Sequence, residues 1–379
     1  MRVVMPLRAL AHYSTEVANG LALAGSEVLS IYPEGSNEWM VEPELTLADS
    51  VRQVLQPGVT GATLDYPPTT NLRTATANLR TIYRLYKMMA RFKPDVIQFQ
   101  ANRDYRMYMA ARLMARRSPF VYTVHDARPH LAESWDRIMH LVHAKYMRNA
   151  ARLVCLSEAV KHLLVEQGVA GERIDVIPHP AHVLFRHWLE PEHTRDDSTV
   201  LFFGRMNKYK GIGVLLESIP LVRREVPAAK FVIAGGGAEV DSYSERLREH
   251  SNVEVIARRI ANHEVAPLFA KASVLAMPYL EASQSGVVTI AYAFDTPVVA
   301  TDVGGLPEAV EHGKTGLIVP PGDPEKLAEA LVRILSDPGY RQTLTANIRE
   351  LANGPLSLKT IGEQLTECYE KAIKQHRGR

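Results

Sequence analysis

The chain has 379 residues, of which 46% are hydrophobic and 23% charged, values typical of a folded protein and not of a disordered or collagen-like one. That length exceeds one ordinary core and predicts two domains. The 44 basic and 42 acidic residues give a net charge of +2, and two cysteines are too few for a disulfide framework or a four-ligand zinc site. No apolar run approaches the roughly 18 residues of a spanning helix, and Pro6 and Arg8 interrupt the N-terminus too early for a secretory signal. We therefore expect a cytoplasmic protein.

Along the first half, short apolar runs alternate with helix-length segments. Such runs are apolar throughout, which is typical of strands buried on both faces in a parallel sheet covered by helices. The strands predicted here are Val3–Met5, Val28–Tyr32, Val96–Phe99, Val121–Val124, Leu153–Leu156 and Ile174–Ile177.

The second half repeats this alternation more clearly. Its predicted strands are Val200–Phe203, Phe231–Ala234, Val253–Ile256, Val274–Met277, Val298–Ala300 and Leu317–Val319. Its predicted helices are Ile212–Val226, His263–Ala272, Gly286–Ala293 and Pro324–Leu335. The fold class is therefore α/β, with two doubly wound, Rossmann-like parallel-sheet domains.

The domain boundaries follow from composition. Residues 181–198 continue a stretch rich in Pro, His and charge without a sustained period, and we take them as a linker between domains at 1–180 and 199–356. Apolar residues on one helical face after Pro355 predict a separate closing helix over 357–376.

Ligands of open parallel sheets bind outside the carboxyl ends of the strands. After the strand Val200–Phe203, Arg205 and Lys210 precede Gly211 at a predicted helix start. Two cations and free helix-start amides favour a phosphate or diphosphate. The alternative is a surface loop whose cations form ion pairs.

Two other strand ends carry candidate residues. Gly235–Gly237 would permit close backbone approach, but without the G-x-G-x-x-G spacing of dinucleotide sites they are equally consistent with a tight turn. His125, followed by Asp126, could hydrogen-bond or polarise a substrate, or could be an ordinary structural histidine.

Three segments of the second half together resemble the C-terminal domain of the retaining GT-B glycosyltransferases of family 4. They are VLFFGRMNKYKGI, FVIAGGG, and the long run that begins VLAMPYLEASQSGVV and contains PVVATDVGGLPE. In the first half the resemblance extends to TVHD and to the closing helix. It implies a GT-B fold whose C-terminal domain holds most of the donor and whose last helix returns to the first domain.

The resemblance also implies a reaction, in which a nucleotide-diphosphate sugar donates its glycosyl group to an acceptor hydroxyl with retention. Arg205 and Lys210 would stabilise the departing diphosphate without a metal, and His125 would be the active-site histidine. The donor-binding residues expected on this basis are Gly204, Arg258, Ile260, Glu281, Gln284, Ser285 and Gly286. On the acceptor side we expect His12, Tyr13 and Asp126.

The donor loop departs from the family pattern of two glutamates at fixed spacing, the second of which holds the ribose. Counted from Glu281 the second position is Thr289, and counted back from Pro297 the pair falls on Ala282 and Ile290. The sequence Gln284-Ser285-Gly286 instead resembles a subset found among exopolysaccharide and capsule enzymes.

A basic stretch marks the first half, since residues 71–120 contain eleven Lys and Arg against two Asp. Within residues 77–117, a predicted helix carries Arg80, Arg84, Lys87 and Arg91 beside an apolar stripe of Leu79, Ile82, Tyr83, Tyr86 and Met89. Such a helix could lie on an anionic membrane surface, or its stripe could pack on the sheet with the cations solvated. Nucleic acid is not expected, because no recognition motif accompanies the charge.

The sequence thus predicts a retaining, hexosyltransferase-type enzyme that uses a nucleotide-diphosphate sugar and needs no other cofactor or metal. Its acceptor would be a glycan or a lipid-linked molecule in polysaccharide or glycoconjugate biosynthesis, and the protein could be peripheral on the inner membrane face. The alternatives are a nucleotide-sugar-binding protein without turnover and an NAD-dependent oxidoreductase.

Overall fold

The computed structural model describes residues 1–7, 10–34, 52–67, 75–100, 104–125, 127, 137–190, 195–237, 242–243, 246 and 251–378. The chain divides into two compact units. One is formed by Met1–Pro129, Glu133–Pro180 and Leu356–Arg379, and the other mainly by Ala181–Pro355. None of the described helices is both long enough and apolar enough to cross a bilayer.

Within its described residues, the first unit contains a seven-stranded sheet in the order β3-β2-β1-β4-β5-β6-β7. Every neighbouring pair is parallel. The strands are β1 Arg2–Pro6, β2 Glu27–Pro33, β3 Val59–Leu64, β4 Val96–Gln100, β5 Phe120–Val124, β6 Arg152–Cys155 and β7 Ile174–Val176.

The described part of the second unit contains a six-stranded parallel sheet in the order β10-β9-β8-β11-β12-β13. The strands are β8 Thr199–Phe203, β9 Lys230–Ala234, β10 Val253–Ile256, β11 Val274–Met277, β12 Val298–Thr301 and β13 Gly316–Val319. Counted from its own first strand, this order is 3-2-1-4-5-6, the arrangement of dinucleotide-binding sheets.

Helices connect the strands in both units. In the first unit they are Ala11–Leu23, Ala75–Phe92, Tyr105–Met114, Arg137–Asn149, Glu158–Glu166 and the closing helix Leu358–Arg377. In the second unit they are Ile212–Glu225, Asn262–Lys271, Gly286–Ala293, Leu306–Ala309, Pro324–Ser336 and Pro338–Asn353. The predicted fold class, two Rossmann-like parallel-sheet domains, is confirmed.

Among the described strands, β3 is the one that the sequence analysis missed. It is an edge strand that pairs only with β2 among the described strands, and most of its residues are only half-buried. Its sequence VTGATL therefore lacks the continuous apolar run that marked the central strands.

The predicted linker 181–198 is not a plain connection. It contains a short 3₁₀ helix, Val183–Trp188, that packs against the helices Asn262–Lys271 and Gly286–Ala293. Leu184 and Phe185 are buried there, so this part of the segment belongs to the second unit.

The basic helix Ala75–Phe92 buries only part of its apolar stripe. Its buried residues are Asn78, Thr81, Leu85 and Met89, whereas Leu79 and Tyr83 are 66% and 58% exposed. Of the two alternatives, packing of the whole stripe on the sheet therefore fails for Leu79 and Tyr83, since the helix packs against the neighbouring helix Tyr105–Met114 through a face that includes polar side chains. Arg106 does not contribute to the basic surface, because it is buried and its Nη2 lies 2.5 Å from Asp104 Oδ2 in an ion pair.

The closing helix packs on the first helix through a close backbone crossing, as the resemblance implied. A Cβ added at Gly362 would overlap the carbonyl oxygen of Gly20, and a Cβ at Gly20 would overlap that of Leu358. The first helix is consequently covered on both sides, and Tyr13 to Leu21 are all buried. Only residues without a side chain permit so short a distance between two helices.

An ion-pair cluster fixes the other end of the closing helix. Asp175 of β7 accepts hydrogen bonds from Arg152 Nε at 2.5 Å and from Lys371 Nζ at 3.0 Å. Burial alone would raise the pKa of Asp175, but the hydrogen bonds from Arg152 and Lys371 hold it below its usual value. The helix is thus attached to the sheet by charge as well as by packing.

We expect Gly362→Ala to lower the free energy of unfolding by about 1–3 kcal/mol, the usual cost of overpacking, although alanine is the better helix former. Chemical denaturation measures this change. Gly378→Ala is the control, since the nearest atom to its Cβ would lie at 3.6 Å. A Gly362→Ala protein as stable as the wild type would contradict the close crossing.

Candidate functional site

The strand order of the second unit reverses between β8 and β11, which are hydrogen-bonded neighbours. From β8 the chain proceeds through β9 to β10 on one side, and from β11 through β12 to β13 on the other. The carboxyl ends of β8 and β11, where the chain turns to opposite sides of the sheet, are therefore the place where such sheets usually bind ligands.

The loop after β8 contains the two predicted phosphate-binding cations. Arg205 is exposed and Lys210 is half-buried at the end of a 3₁₀ turn, Lys208–Lys210. Gly211, with φ 70°, begins the helix Ile212–Glu225 without a side-chain cap. The first-turn amides of that helix are therefore open to a ligand oxygen.

The loop after β11 interlocks with the loop after β8. Leu280 N donates to Tyr209 O at 2.7 Å, and a Cβ at Gly211 would overlap the carbonyl oxygen of Pro278. The Lys210 ammonium lies 3.6 Å from the ring centroid of Tyr279. The structure thus places Lys210 against the β11 loop.

Ser285 and Glu281 occupy different positions in the β11 loop. Ser285 is the N-cap of the helix Gly286–Ala293, where its hydroxyl accepts a hydrogen bond from Val287 N at 3.4 Å. Glu281 is half-buried, and its buried Oε2 has no hydrogen-bond partner among the residues that the structure describes. A buried acceptor with no partner is costly, so this oxygen is available to a ligand hydroxyl.

The two positions where a second glutamate could lie are both committed to the interior of the unit. Thr289 Oγ1 lies 2.7 Å from His182 Nδ1 and donates to Gly286 O at 2.9 Å. Ile290 is buried. Neither side chain is an available polar group for a ribose.

The glycine run after β9 has a packing explanation. A Cβ on Gly235 would overlap Gly204 O, and one on Gly237 would overlap the backbone of Met206. Gly236 lies against the backbone of Arg258 and Arg259. The run lets the β9 loop pass closely between the β8 and β10 loops. The glycines therefore have a structural role that does not require a dinucleotide, and of the two observations behind the oxidoreductase alternative only the pair of Rossmann-like domains remains.

Arg258 is held by its own loop and helix. Its guanidinium pairs with both carboxylate oxygens of Glu264, at 2.5 and 2.7 Å, and lowers the pKa of Glu264 to about 2. Only the backbone of Arg258 and of the neighbouring half-buried Ile260 is left for a base.

In the first unit, His125 follows β5 and is buried among aromatic rings. Its ring centroid is 4.8 Å from that of Tyr13 and 5.7 Å from that of His179. Gln100, at the end of β4, places Oε1 3.5 Å from His125 Nε2. Burial raises the pKa of Tyr13 far above its ordinary value.

The remaining predicted residues of the first unit are less informative. His12 is half-buried at the start of the first helix, and Asp126 lies outside the described residues. Among the residues that are described, no three His, Cys, Asp or Glu side chains are grouped as a metal site. Metal independence stays a prediction.

Sequence reasoning missed Tyr279 and Gln100. Both lie at or just beyond the carboxyl end of a strand adjoining a reversal of strand order, β11 in the second unit and β4 in the first. The strand-end rule could have selected them, but the reversal is visible only once the strand order is known.

We expect Gly211→Ala to destabilise the second unit more than Gly322→Ala does. The two glycines have nearly equal φ, 70° and 73°, so both substitutions carry about 1–2 kcal/mol of left-handed strain. Only Gly211 lies against a backbone carbonyl, whereas nothing lies within 4 Å of a Cβ at Gly322. Denaturation of both variants measures the difference, and equal losses would contradict the interlocked loops.

Comparison with known proteins identifies relatives of both halves. The family model "Glycosyltransferase Family 4" matches residues 10–183, and "Glycosyl transferases group 1" matches residues 197–337. The chain is 23% identical to the capsular polysaccharide biosynthesis glycosyltransferase CapM of Staphylococcus aureus, over 80% of this chain and 83% of CapM. It is 29% identical to the D-inositol 3-phosphate glycosyltransferase of Pseudarthrobacter chlorophenolicus, over 69% and 67%.

The fold also matches solved structures. Anabaena HepE, crystallised with UDP and glucose, superposes with a TM-score of 0.70 at 17% identity, covering 97% of this chain and 98% of HepE. At that identity the likeness concerns the fold alone. The two family models together span most of the chain, and with the fold they show that the chain belongs to the family 4 (group 1) glycosyltransferases and has the GT-B fold.

Proposed function

We propose that this glycosyltransferase moves a sugar, with retention, from a nucleotide-diphosphate sugar to a hydroxyl of a glycan or lipid-linked acceptor. The observation that carries the proposal is Lys210, held against the β11 loop beside the uncapped start of the helix Ile212–Glu225. A cation and free amides at one strand-order reversal form a site suited to a diphosphate.

The chemistry follows from the leaving group. When the bond between the sugar's anomeric carbon and the diphosphate breaks, negative charge grows on the departing phosphate oxygen. Arg205, Lys210 and the first-turn amides would stabilise that charge in fixed positions and in the absence of a metal. Gly204, with φ 127°, begins the loop that presents both cations.

The sugar itself would contact the β11 loop. Glu281 offers a buried oxygen without a partner to a sugar hydroxyl. Gln284, Ser285 and Gly286 lie at the start of the helix Gly286–Ala293, whose first-turn amides suit the donor's oxygens. The Ser285 hydroxyl accepts a hydrogen bond from Val287 N, and it can still donate its own proton in a hydrogen bond to the nucleotide sugar.

The nucleoside would lie toward the β9 and β10 loops, with the base against the backbone of Arg258 and Ile260. Because Thr289 and Ile290 are committed to the interior, the ribose would be held by a group other than a carboxylate at position 290. His125 would act on the reacting sugar, with His12, Tyr13 and Asp126 on the acceptor side.

The relatives favour particular ligands. HepE was crystallised with UDP and glucose, and CapM is named for capsular polysaccharide biosynthesis. We therefore propose that the donor is a UDP-sugar, to be tested first, and that the product is a polysaccharide or another glycoconjugate.

A ligand screen tests the proposal. UDP, GDP, ADP and NAD are added separately and thermal unfolding is recorded; about 100 times Kd of a binding ligand adds about 2.7 kcal/mol of stability. One diphosphate should stabilise the protein, and its sugar conjugates should then release that diphosphate in the presence of an acceptor. Binding without release would favour a nucleotide-sugar-binding protein, and stabilisation by NAD alone would overturn the proposal.

We expect Lys210→Met and Arg205→Ala each to lower kcat by roughly 10²–10³-fold, the usual effect of removing one electrostatic stabiliser. Lys208→Met is the matched control, because Lys208 is exposed on the same 3₁₀ turn. Turnover assays on the best donor measure all three. A Lys210→Met enzyme with the turnover of the wild type would contradict the proposal that Lys210 stabilises the departing diphosphate.

A second proposal concerns the basic face of the first unit, defined by Arg80, Arg84, Lys87, Arg91, Arg112, Arg116 and Arg117, which are all exposed. The same two helices expose the large apolar side chains Leu79, Tyr83, Met109 and Leu113. Cations interspersed with exposed apolar side chains match an anionic lipid surface, which attracts the charge and accepts the apolar groups. We propose that this face attaches the enzyme peripherally to such a membrane.

Co-sedimentation with phosphatidylglycerol vesicles tests the membrane proposal. We expect binding at low salt that falls as salt rises, and loss of binding in Arg80→Glu/Arg84→Glu, since each cation near the surface contributes about 1 kcal/mol. Lys271→Glu/Lys326→Glu makes the same charge change on the second unit and should still bind. Equal binding by both double variants, or none by the wild type, would contradict the proposal.

A further inference from the structure

Tyr279 is one of the largest fully buried side chains, and its ring faces a cation. The Lys210 ammonium lies 3.6 Å from its centroid, compared with 5.1 Å from that of Tyr209. The Tyr279 backbone is fixed from the next strand, because Thr301 Oγ1 donates to its carbonyl oxygen at 2.6 Å. The following residue, Leu280, is hydrogen-bonded to Tyr209.

We propose that Tyr279 is a positioning residue of the donor site, whose ring holds the Lys210 ammonium where the donor's diphosphate binds. The inference rests on the proposed function, since it concerns the same diphosphate. The position of Tyr279 after a predicted strand does not by itself indicate this role, because its contribution comes entirely through Lys210.

Lysine has a flexible four-carbon stem, and fixing it costs conformational entropy. An aromatic face offsets that cost by attracting the ammonium, and the attraction is stronger where water is excluded. A ring also leaves the positive charge intact, whereas a carboxylate partner would cancel it. The contact with the ring therefore does not neutralise the charge that attracts the diphosphate.

The ring, and not the hydroxyl, is the part that acts. Within the described part of the chain, no hydrogen bond of normal geometry reaches Tyr279 Oη. Burial raises the pKa of Tyr279 to about 12, although the Ser285 hydroxyl acts in the opposite direction. The phenol is therefore neutral at physiological pH and supplies no proton chemistry.

Two substitutions separate the ring from the hydroxyl. Calorimetric titration measures the affinity of each protein first for the nucleoside diphosphate that the wild type binds, which is UDP, GDP or ADP. It then measures the affinity of each protein for the matching nucleoside, which has no phosphates. We expect Tyr279→Phe to bind the diphosphate as the wild type does and Tyr279→Leu to bind it about tenfold more weakly, equal to about 1.4 kcal/mol. Nucleoside affinity should be the same in all three. Should Tyr279→Leu not fold, Tyr279→Met gives the same comparison with an unbranched side chain.

A double-mutant cycle with Lys210→Met completes the test. If Tyr279 acts through Lys210, adding Tyr279→Leu to Lys210→Met should weaken diphosphate binding no further. Additive losses, an equal loss of nucleoside affinity, or a Tyr279→Phe as weak as Tyr279→Leu would each overturn the inference. A wild type that binds no nucleoside diphosphate would instead overturn the proposed function.

Discussion

The close approach of the loops that follow β8 and β11 is the constraint on which the second unit's site depends. Gly211 lies against the Pro278 carbonyl, and Leu280 N donates to Tyr209 O. These contacts bring Lys210 onto Tyr279 and leave the start of the helix Ile212–Glu225 uncapped. A site that must stabilise charge needs such fixed groups, because dipoles that are already oriented cost no reorganisation during the reaction.

Glycine serves the same physical purpose in both units. At Gly211 and Gly235 a missing side chain lets loops meet at the carboxyl edge of the sheet, and at Gly20 and Gly362 it lets two helices cross at backbone distance. The first group shapes a site and the second attaches the closing helix. In each place the neighbouring atoms are backbone, which cannot move aside as a flexible side chain can.

The β11 loop has no carboxylate at either position where the resemblance to the family would place a second glutamate. At those positions Thr289 is hydrogen-bonded to His182, and Ile290 lies in the interior. The β11 loop offers Glu281 Oε2, which has no hydrogen-bond partner among the described residues, and the start of the helix Gly286–Ala293. Recognition of the donor in our proposal consequently relies more on backbone amides and on Lys210 than on paired carboxylates.

The sequence by itself determined the fold class, because central strands of a parallel sheet must be apolar on both faces and therefore leave continuous runs. Val253–Ile256, Val274–Met277 and Gly286–Ala293 were predicted with the bounds that the structure has. The sequence also indicated Arg205 and Lys210, since helix starts after strands attract anions. Edge strand β3 was not predicted, because a strand that is only half-buried does not need a continuous apolar run.

Only the tertiary structure decided which side chains meet. Leu79 and Tyr83 fit the helical period of the apolar stripe yet remain exposed, because the neighbouring helix packs against a different face of their helix. The sequence placed the backbone of Arg258 at the donor, and the structure shows in addition that its guanidinium pairs with Glu264. Tyr279 lies 69 positions beyond Lys210 in the chain, and only the reversal of strand order between β8 and β11 brings them together. Local patterns record burial and period; contacts between distant residues depend on the order of strands, which no local pattern encodes.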